Sequence, residues 1–410
     1  MTYTPPPPIL ERYANLLVNY ALNDGEGISP GDVVRVVAQD DARPLFAEVC
    51  RAVWQAGGHV IQMLSIADSD PSRLNRAFYE LASPEQLDFF PARMIRGMVD
   101  DVDHDVHILS DGDPRIHAGV DPERLLRHRR AFKPQMDWQD DKENAGEFSW
   151  TLAQYGTAGQ AAEAGMTVEE YWAQIIRACF LDQPDPVARW REVEETISGI
   201  RARLDALAIR RVHLTGEDLD LRLTIGEQRL WKGGVGANIP SFEIFTTPDW
   251  RGTNGWIRFN QPLYEYGSLI TGIRLEFKDG LVVRADAEQN VELLRAMIAN
   301  PGADRLGEFS LTDARLSPID RFMANTLFDE NAGGPFGNTH VALGQAYKEV
   351  YDGDPATLTD EQWAQLGFNE SVVHTDIVST TDRTVTAVLA DGSERVIYAG
   401  GRFQLDDVQV

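Results

Sequence analysis

The 410 residues carry 38 Lys and Arg against 64 Asp and Glu, a formal net charge of −26, with 43% hydrophobic and 25% charged residues. That balance is the one of soluble globular chains and excludes global disorder, while the negative excess disfavours nucleic acid and anionic membrane surfaces as partners. Two distant cysteines, Cys50 and Cys179, exclude a disulfide scaffold or a thiolate zinc cluster and suit a reducing cytoplasm.

In chain order, Met1 to Pro8 has neither the basic nor the apolar part of a signal peptide, and nowhere does an apolar run approach the roughly 18 residues that span a bilayer. Ile9–Leu22 reads as an amphipathic helix, Val33–Val37 as a buried strand, Pro44–Gln55 as a helix and His59–Leu64 as a second strand. Pro71–Ala82 predicts a helix with a further turn at Pro84–Phe89, and a third strand follows around Val102–Leu109. Strand–helix–strand alternation implies right-handed crossovers and a mostly parallel sheet, so residues 1–115 read as a small α/β domain.

Residues 116–410 read as a larger mixed domain. Helices are expected at Pro122–Ala131, Thr167–Ala178 and Pro186–Ala208. Period-two strands follow at Val212–Leu214, Leu219–Leu223, Ile257–Phe259, Ile273–Phe277 and Leu281–Arg284, the last two joined by an Asp279-Gly280 hairpin turn. A helix at Glu288–Ile298, a strand at Gly307–Leu311, a helix at Thr339–Tyr351, a helical turn at 361–366 and two strands flanking Asp391-Gly392 complete the reading.

Several segments could carry chemistry. Asp100 to His107 is either a cation site or the acidic fringe of a solvated strand end. The glycines at 25, 27 and 31 precede a strand, which is the wrong side for a dinucleotide turn, and those at 333, 334 and 337 lack the Lys-Ser/Thr of a P-loop. His374 and Asp376 should share one face of a strand, as a two-ligand metal platform or a hydrogen-bonded pair. His340 opens the expected helix with Thr339 as its cap, and Tyr347 lies two turns later on the same face, about 10 Å along the axis; a plain core pair fits as well. Glu243, Glu308 and Glu330 stand in apolar surroundings, where a carboxylate is paired, metal-bound or on an exposed edge. Taken together, three Glu, two His and one Asp match the ligand set of a two-metal hydrolase. His213 reads as a core residue.

Four motifs in order then resemble the thermophilic metallo-aminopeptidase family, that of aminopeptidase T, AmpS and PepS. They are Asn238-Ile239-Pro240 with Glu243 to Pro248; Leu306-Gly307-Glu308; Leu327 to Asn331 followed by His340 to Tyr347; and His374-Thr375-Asp376, within a likeness running from Tyr13 to Phe403. The resemblance implies a small Rossmann-like N-terminal α/β domain and a larger, largely antiparallel C-terminal metal-binding domain. It implies that Glu243, Glu308 and His340 hold one metal, and that Glu308 bridges to a second held by His374 and Asp376. Glu330 would be a further ligand or the general base, and Tyr347 would hydrogen-bond the developing oxyanion. The implied activity is hydrolysis of the N-terminal peptide bond by a metal-bridging water, with two divalent ions per chain (Zn, Co or Mn). Peptides with a free N-terminus would be the substrates of a cytoplasmic homodimer without nucleic-acid or membrane partners. The alternatives are a metallohydrolase of another small amide or acyl substrate, and a catalytically dead metal-binding relative. Three departures stand out: Phe242 where the family usually has Gly, expected to crowd Glu243; the longer stretch Gly333 to Asn338; and Ser379-Thr380 after the last ligand pair.

Overall fold

The computed structural model describes residues 3–234, 236–265 and 267–405. The alternating N-terminal pattern folds as expected into a parallel sheet, ordered His59–Ser65, Val33–Gln39, His104–Leu109, Ser149–Gln154 and Asn238–Ile239. Val34, Val36 and Val106 are fully buried in it, and helices Pro7–Asn19 and Arg43–Gln55 pack together beside it. Pro44 starts the second of these helices, where its missing N–H costs nothing, and Gly57, at φ +88°, turns the chain away after it. Strands four and five come from beyond residue 115, so this sheet continues into the segment read as the second domain.

Asp100 to His107 divides in two: Asp100 and Asp101 form an exposed acidic fringe before the strand, and the strand residues His104 and Asp105 are buried. Asp100 and Asp101 end the helix Ala92–Asp101, which the sequence reading did not anticipate. Asp105 is only 1% exposed and accepts a 2.7 Å hydrogen bond from Arg35 Nε, while His104 is buried against Asp32 at 3.0 Å.

An eight-stranded antiparallel sheet carries the period-two strands. Its buried stripe is legible residue by residue: Val212 and Leu214 face inward on one strand, and Leu219, Leu221 and Leu223 on the next. Asp279 (φ 50°) and Gly280 (φ 88°) both adopt positive φ in the tight hairpin turn the dipeptide predicts. His213 is half-buried and bonded to Asp220 at 2.8 Å, so it belongs to the sheet's polar side and not to the core.

The third sheet is antiparallel, ordered His374–Ser379, Asn338–Gly344, Leu306–Thr312 and Glu243–Thr246. The expected helix Thr339–Tyr351 is overturned here: the segment is the strand Asn338–Gly344, a loop and a short turn at Lys348–Val350. Every residue of Leu306–Thr312 and of Asn338–Gly344 is buried. A strand buried on both faces loses the period-two alternation that marks half-buried strands, and its apolar run then mimics a helix. Thr339 caps nothing; its hydroxyl donates to the Ser310 carbonyl at 2.7 Å. The expected stacking of His340 and Tyr347 along one helix face falls with the helix.

Candidate metal centre

Cross-strand register builds the site. Residues directly opposed in antiparallel strands share a face, as do residues two apart along a strand. His340 lies opposite Ser310, Ala342 opposite both Glu308 and Asp376, and Gly344 opposite His374. Ser310 pairs in turn with Phe245 and Thr312 with Glu243. Glu243, Glu308, His340, His374 and Asp376 therefore converge on one face, around a methyl side chain at Ala342. A larger residue there would occupy the space into which the ligand atoms point. Sequence reading passed over Ala342, since a small apolar residue carries no chemical signal of its own.

His340 Nε2 lies 3.1 Å from Glu243 Oε2 and 3.2 Å from Glu308 Oε1. His374 Nε2 lies 3.4 Å from Glu308 Oε2 and 3.5 Å from Asp376 Oδ1. Glu308 thus offers one oxygen to each imidazole. The His374 ring is oriented from behind by a 2.9 Å contact of Nδ1 with the Gln345 carbonyl, which makes Nδ1 the protonated nitrogen and leaves Nε2 free to ligate. Ser310 Oγ donates to Glu243 at 3.1 Å. Glu330 follows the short helix Thr326–Asp329 and accepts from Asn238 Nδ2 at 3.0 Å.

The electrostatics describe a site short of positive charge. Burial, reinforced by the charges of Asp376 and Glu243, raises the Glu330 carboxyl well above the usual range, and burial likewise raises Glu243. For His340, burial would lower the imidazole, but hydrogen bonds to Glu243 and Glu308 and their charges raise it well above its ordinary value. His374 rises in the same way beside Asp376 and Glu308. No Lys or Arg forms an ion pair with Glu243, Glu308, Glu330 or Asp376 among the described residues. Buried carboxylates without cationic partners are held by metals or by protons. Two overlapping donor groups fit metals, Glu243–Glu308–His340 and Glu308–His374–Asp376, each with its ligand atoms within 4.8 Å of one another. Asp376 Oδ1 is buried without a hydrogen-bond donor, as a ligand atom waiting for a cation would be. Oxygen and imidazole donors of this kind suit Zn, Co or Mn.

Tyr347 reaches the site from the loop after Asn338–Gly344. Its ring packs 4.7 Å from His374 and 5.6 Å from Phe245, and burial beside Glu308 and Asp376 raises its hydroxyl well above the ordinary value, so it stays protonated. Phe242 does not crowd Glu243: strand alternation turns it to the other face, where it stacks on Trp190 at 5.0 Å. The stretch Gly333 to Asn338 is held by hydrogen bonds at its end. Tyr398 donates to the Phe336 carbonyl at 3.0 Å, and Asn338 Nδ2 donates to the Glu330 carbonyl at 2.9 Å. Ser379 and Thr380 are tied up locally, with Thr381 and Asn260.

The ligands open into a cleft of about 730 Å³ that also reaches the parallel sheet, where Leu109, Trp150 and Leu152 form an apolar wall. Among the described residues no helix is long and apolar enough to cross a membrane.

A family model described as thermophilic metalloprotease (M29) matches residues 8–403. Aminopeptidase T of Thermus thermophilus is 30% identical, over 96% of this chain and 98% of its own. Aminopeptidase PepS of Streptococcus thermophilus is 29% identical, over 96% and 97%. The solved structure of wild-type AmpT from Thermus thermophilus superposes with a TM-score of 0.81 at 27% identity, covering 97% of this chain and 99% of that one.

Proposed function

The chain belongs to the thermophilic metalloprotease family (M29) and is a metal-dependent aminopeptidase, and from that premise we propose that it works with two divalent ions. Glu243, Glu308 and His340 would hold one, and Glu308, His374 and Asp376 the other, with Zn, Co or Mn suiting both donor sets. The observation that carries this reading is Glu308, whose two oxygens face different imidazoles at 3.2 and 3.4 Å. Bound ions supply Lewis-acid polarisation of a peptide carbonyl and lower the pKa of water to about 7.

The side chains around them have distinct tasks. Glu330, held by Asn238, would take the proton of the attacking water, once the charge of bound cations offsets the burial and carboxylates that raise its pKa, and would pass it to the departing amine. Tyr347 keeps its proton and donates it as a hydrogen bond to the oxygen on which charge develops. The α-ammonium of a peptide is drawn to the carboxylates of the cleft, which accounts for attack at the N-terminal bond. Peptides with a free N-terminus are the substrates on this reading, with neither nucleic acid nor membrane as partner.

The same reading includes a cytoplasmic homodimer. The strand His59–Ser65 is an edge of the parallel sheet, and consecutive Met63 and Leu64 on it are exposed, one on each face. An edge strand with exposed apolar side chains suits pairing with a second copy of the chain. Cys50 and Cys179 are free and buried, as suits a reducing compartment.

Metal analysis of the purified protein should return two ions per chain, and a chelator should abolish cleavage until metal is restored. Aminoacyl amides should be cleaved and N-blocked peptides refused. Cleavage of blocked substrates at equal rates would instead make the protein a hydrolase of other small amides.

A further inference from the structure

Five lysines occur in the chain, and four have evident places. Lys133 bridges Asp137 and Glu370 at 2.6 and 2.9 Å, and Lys142 donates to the carbonyls of Val99, Asp100 and Val102. Lys348 lies over the Trp363 ring at 5.5 Å, and Lys278 sits exposed beside the hairpin turn. Lys232 differs from all of these. It is half-buried on the wall of the metal cleft, and among the described residues its ammonium makes no ion pair.

The backbone fixes where it points. Lys232 and Phe245 exchange two hydrogen bonds, of 2.8 and 2.9 Å, so Lys232 forms an isolated antiparallel bridge alongside Glu243–Thr246. By the rule that places the ligands, Lys232 shares the face of Phe245 and, two residues along, of Glu243. Two glycines lock it there. Gly233 has φ +128°, and a Cβ on it would meet the Glu243 carbonyl oxygen at 2.0 Å; Gly234 has φ +90°, and a Cβ on it would meet Glu194 Oε2 at 2.2 Å. Arg201 donates to the Gly233 carbonyl at 2.5 Å and so clamps the loop to the helix Pro186–Ala206. The ammonium is presented by a pinned backbone beside the metal sheet.

Asp24, Glu194 and Glu349 line the same end of the cleft, and Glu349 feels the charge of Lys232 most among its charged neighbours. None of the three stands within ion-pairing distance of Lys232. One cross-strand step and two strand residues separate Lys232 from Glu243, which a long side chain shortens to roughly one or two residues of extended peptide, at about 3.5 Å each.

We propose that Lys232 receives a carboxylate of the peptide substrate: the free C-terminus of a di- or tripeptide, or an acidic side chain at that distance. This rests on the aminopeptidase reading, because only a peptide whose N-terminal bond lies at the metals places its next carboxylate near Lys232. The enzyme then favours short peptides, with Glu349 as a competitor for the ammonium.

The test compares kcat/KM of the metal-loaded protein on Leu-Gly-Gly and on its C-terminal amide, and on Leu-Asp-Gly-amide and Leu-Asn-Gly-amide. Taking ratios within each variant cancels differences in folding or metal content. The wild type should prefer the free acid about tenfold, mainly through KM, and the preference should shrink at high salt. Lys232→Met should bring the ratio to about one, Lys232→Arg should keep most of it, and Glu349→Gln should increase it. A preference for Asp over Asn that Lys232→Met removes would identify the side-chain carboxylate as the source. Ratios near one in the wild type for both pairs, or a preference that survives Lys232→Met, would overturn the proposal. If the wild type cleaves none of the four peptides, the aminopeptidase reading falls and Lys232 falls with it.

Discussion

Carboxylates are buried in both the parallel sheet and the metal sheet, and the two regions neutralise them differently. Asp105, 1% exposed in the parallel sheet, has Arg35 alongside it and His107 within 3.4 Å, so its charge is balanced by the protein's own groups. Glu243, Glu308 and Asp376 in the metal sheet have, among the described residues, no Lys or Arg beside them and face the imidazoles of His340 and His374. A buried anion beside a guanidinium is a structural element. Buried anions gathered around imidazoles, with no Lys or Arg paired to them, leave a deficit that divalent cations fill. Both Asp105 and Asp376 sit on strands next to a histidine, and it is the partner across the sheet that separates their roles.

The contrast breaks most sharply at Glu308. Glu308→Gln should lower kcat/KM by about a thousandfold or more and reduce bound metal, measured by peptide kinetics and elemental analysis, while the fold persists by circular dichroism. An active Glu308→Gln enzyme would sink the bridging role. Asp105→Ala should do the reverse. Leaving Arg35 buried and unpaired should destabilise the protein by about 3–5 kcal/mol in denaturant titrations, with metal per folded chain unchanged.

The same pair sets an acid limit. Burial would raise the Asp105 carboxyl, but hydrogen bonds from His107 and Arg35 outweigh it and hold the group below its usual range. Its contribution to stability is then complete above the unfolded value of about 3.9 and is lost as the pH falls through the folded one. Denaturant midpoints between roughly pH 5 and 2 should therefore drop more steeply for the wild type than for Asp105→Asn. Equal slopes would remove Asp105 from the acid limb.

Ala342→Leu sharpens the comparison from inside the site. Filling the space between Glu308 and Asp376 should cost about 1–3 kcal/mol of stability and cut metal affinity about a hundredfold, read by competition with a chelator. The smallest effect is expected at Asn238→Ala, which frees Glu330 from its 3.0 Å donor and should lower kcat about tenfold with metal content intact.

Legibility in the sequence follows burial. Strands with one wet face announce themselves by alternation, as at Leu219–Thr224, and Asp279-Gly280 names its own turn. His374 and Asp376 could be placed side by side because a strand's period is two. His340 could not, since Asn338–Gly344 is buried on both faces and its apolar run fits a helix equally well. Tyr347 reaches the same cleft, but from a loop and not from a helix face. Phe242 looked obstructive only while the face it occupies was unknown; alternation sends it to Trp190.

What the sequence determined by itself is the inventory: six ligand-type side chains in apolar settings, their order along the chain, and the family to which that order corresponds. Which of them meet was decided by tertiary structure. Glu243, Glu308, His340 and His374 come from four strands far apart in the chain, and only backbone hydrogen bonding between those strands sets the register that brings them to one face. The same pairing selected Ala342 as the gap between the ligands and set Lys232 beside Phe245. Neither residue has a chemical signature in the chain, because what each contributes is a position, and position across a sheet is fixed by partners that local sequence does not specify.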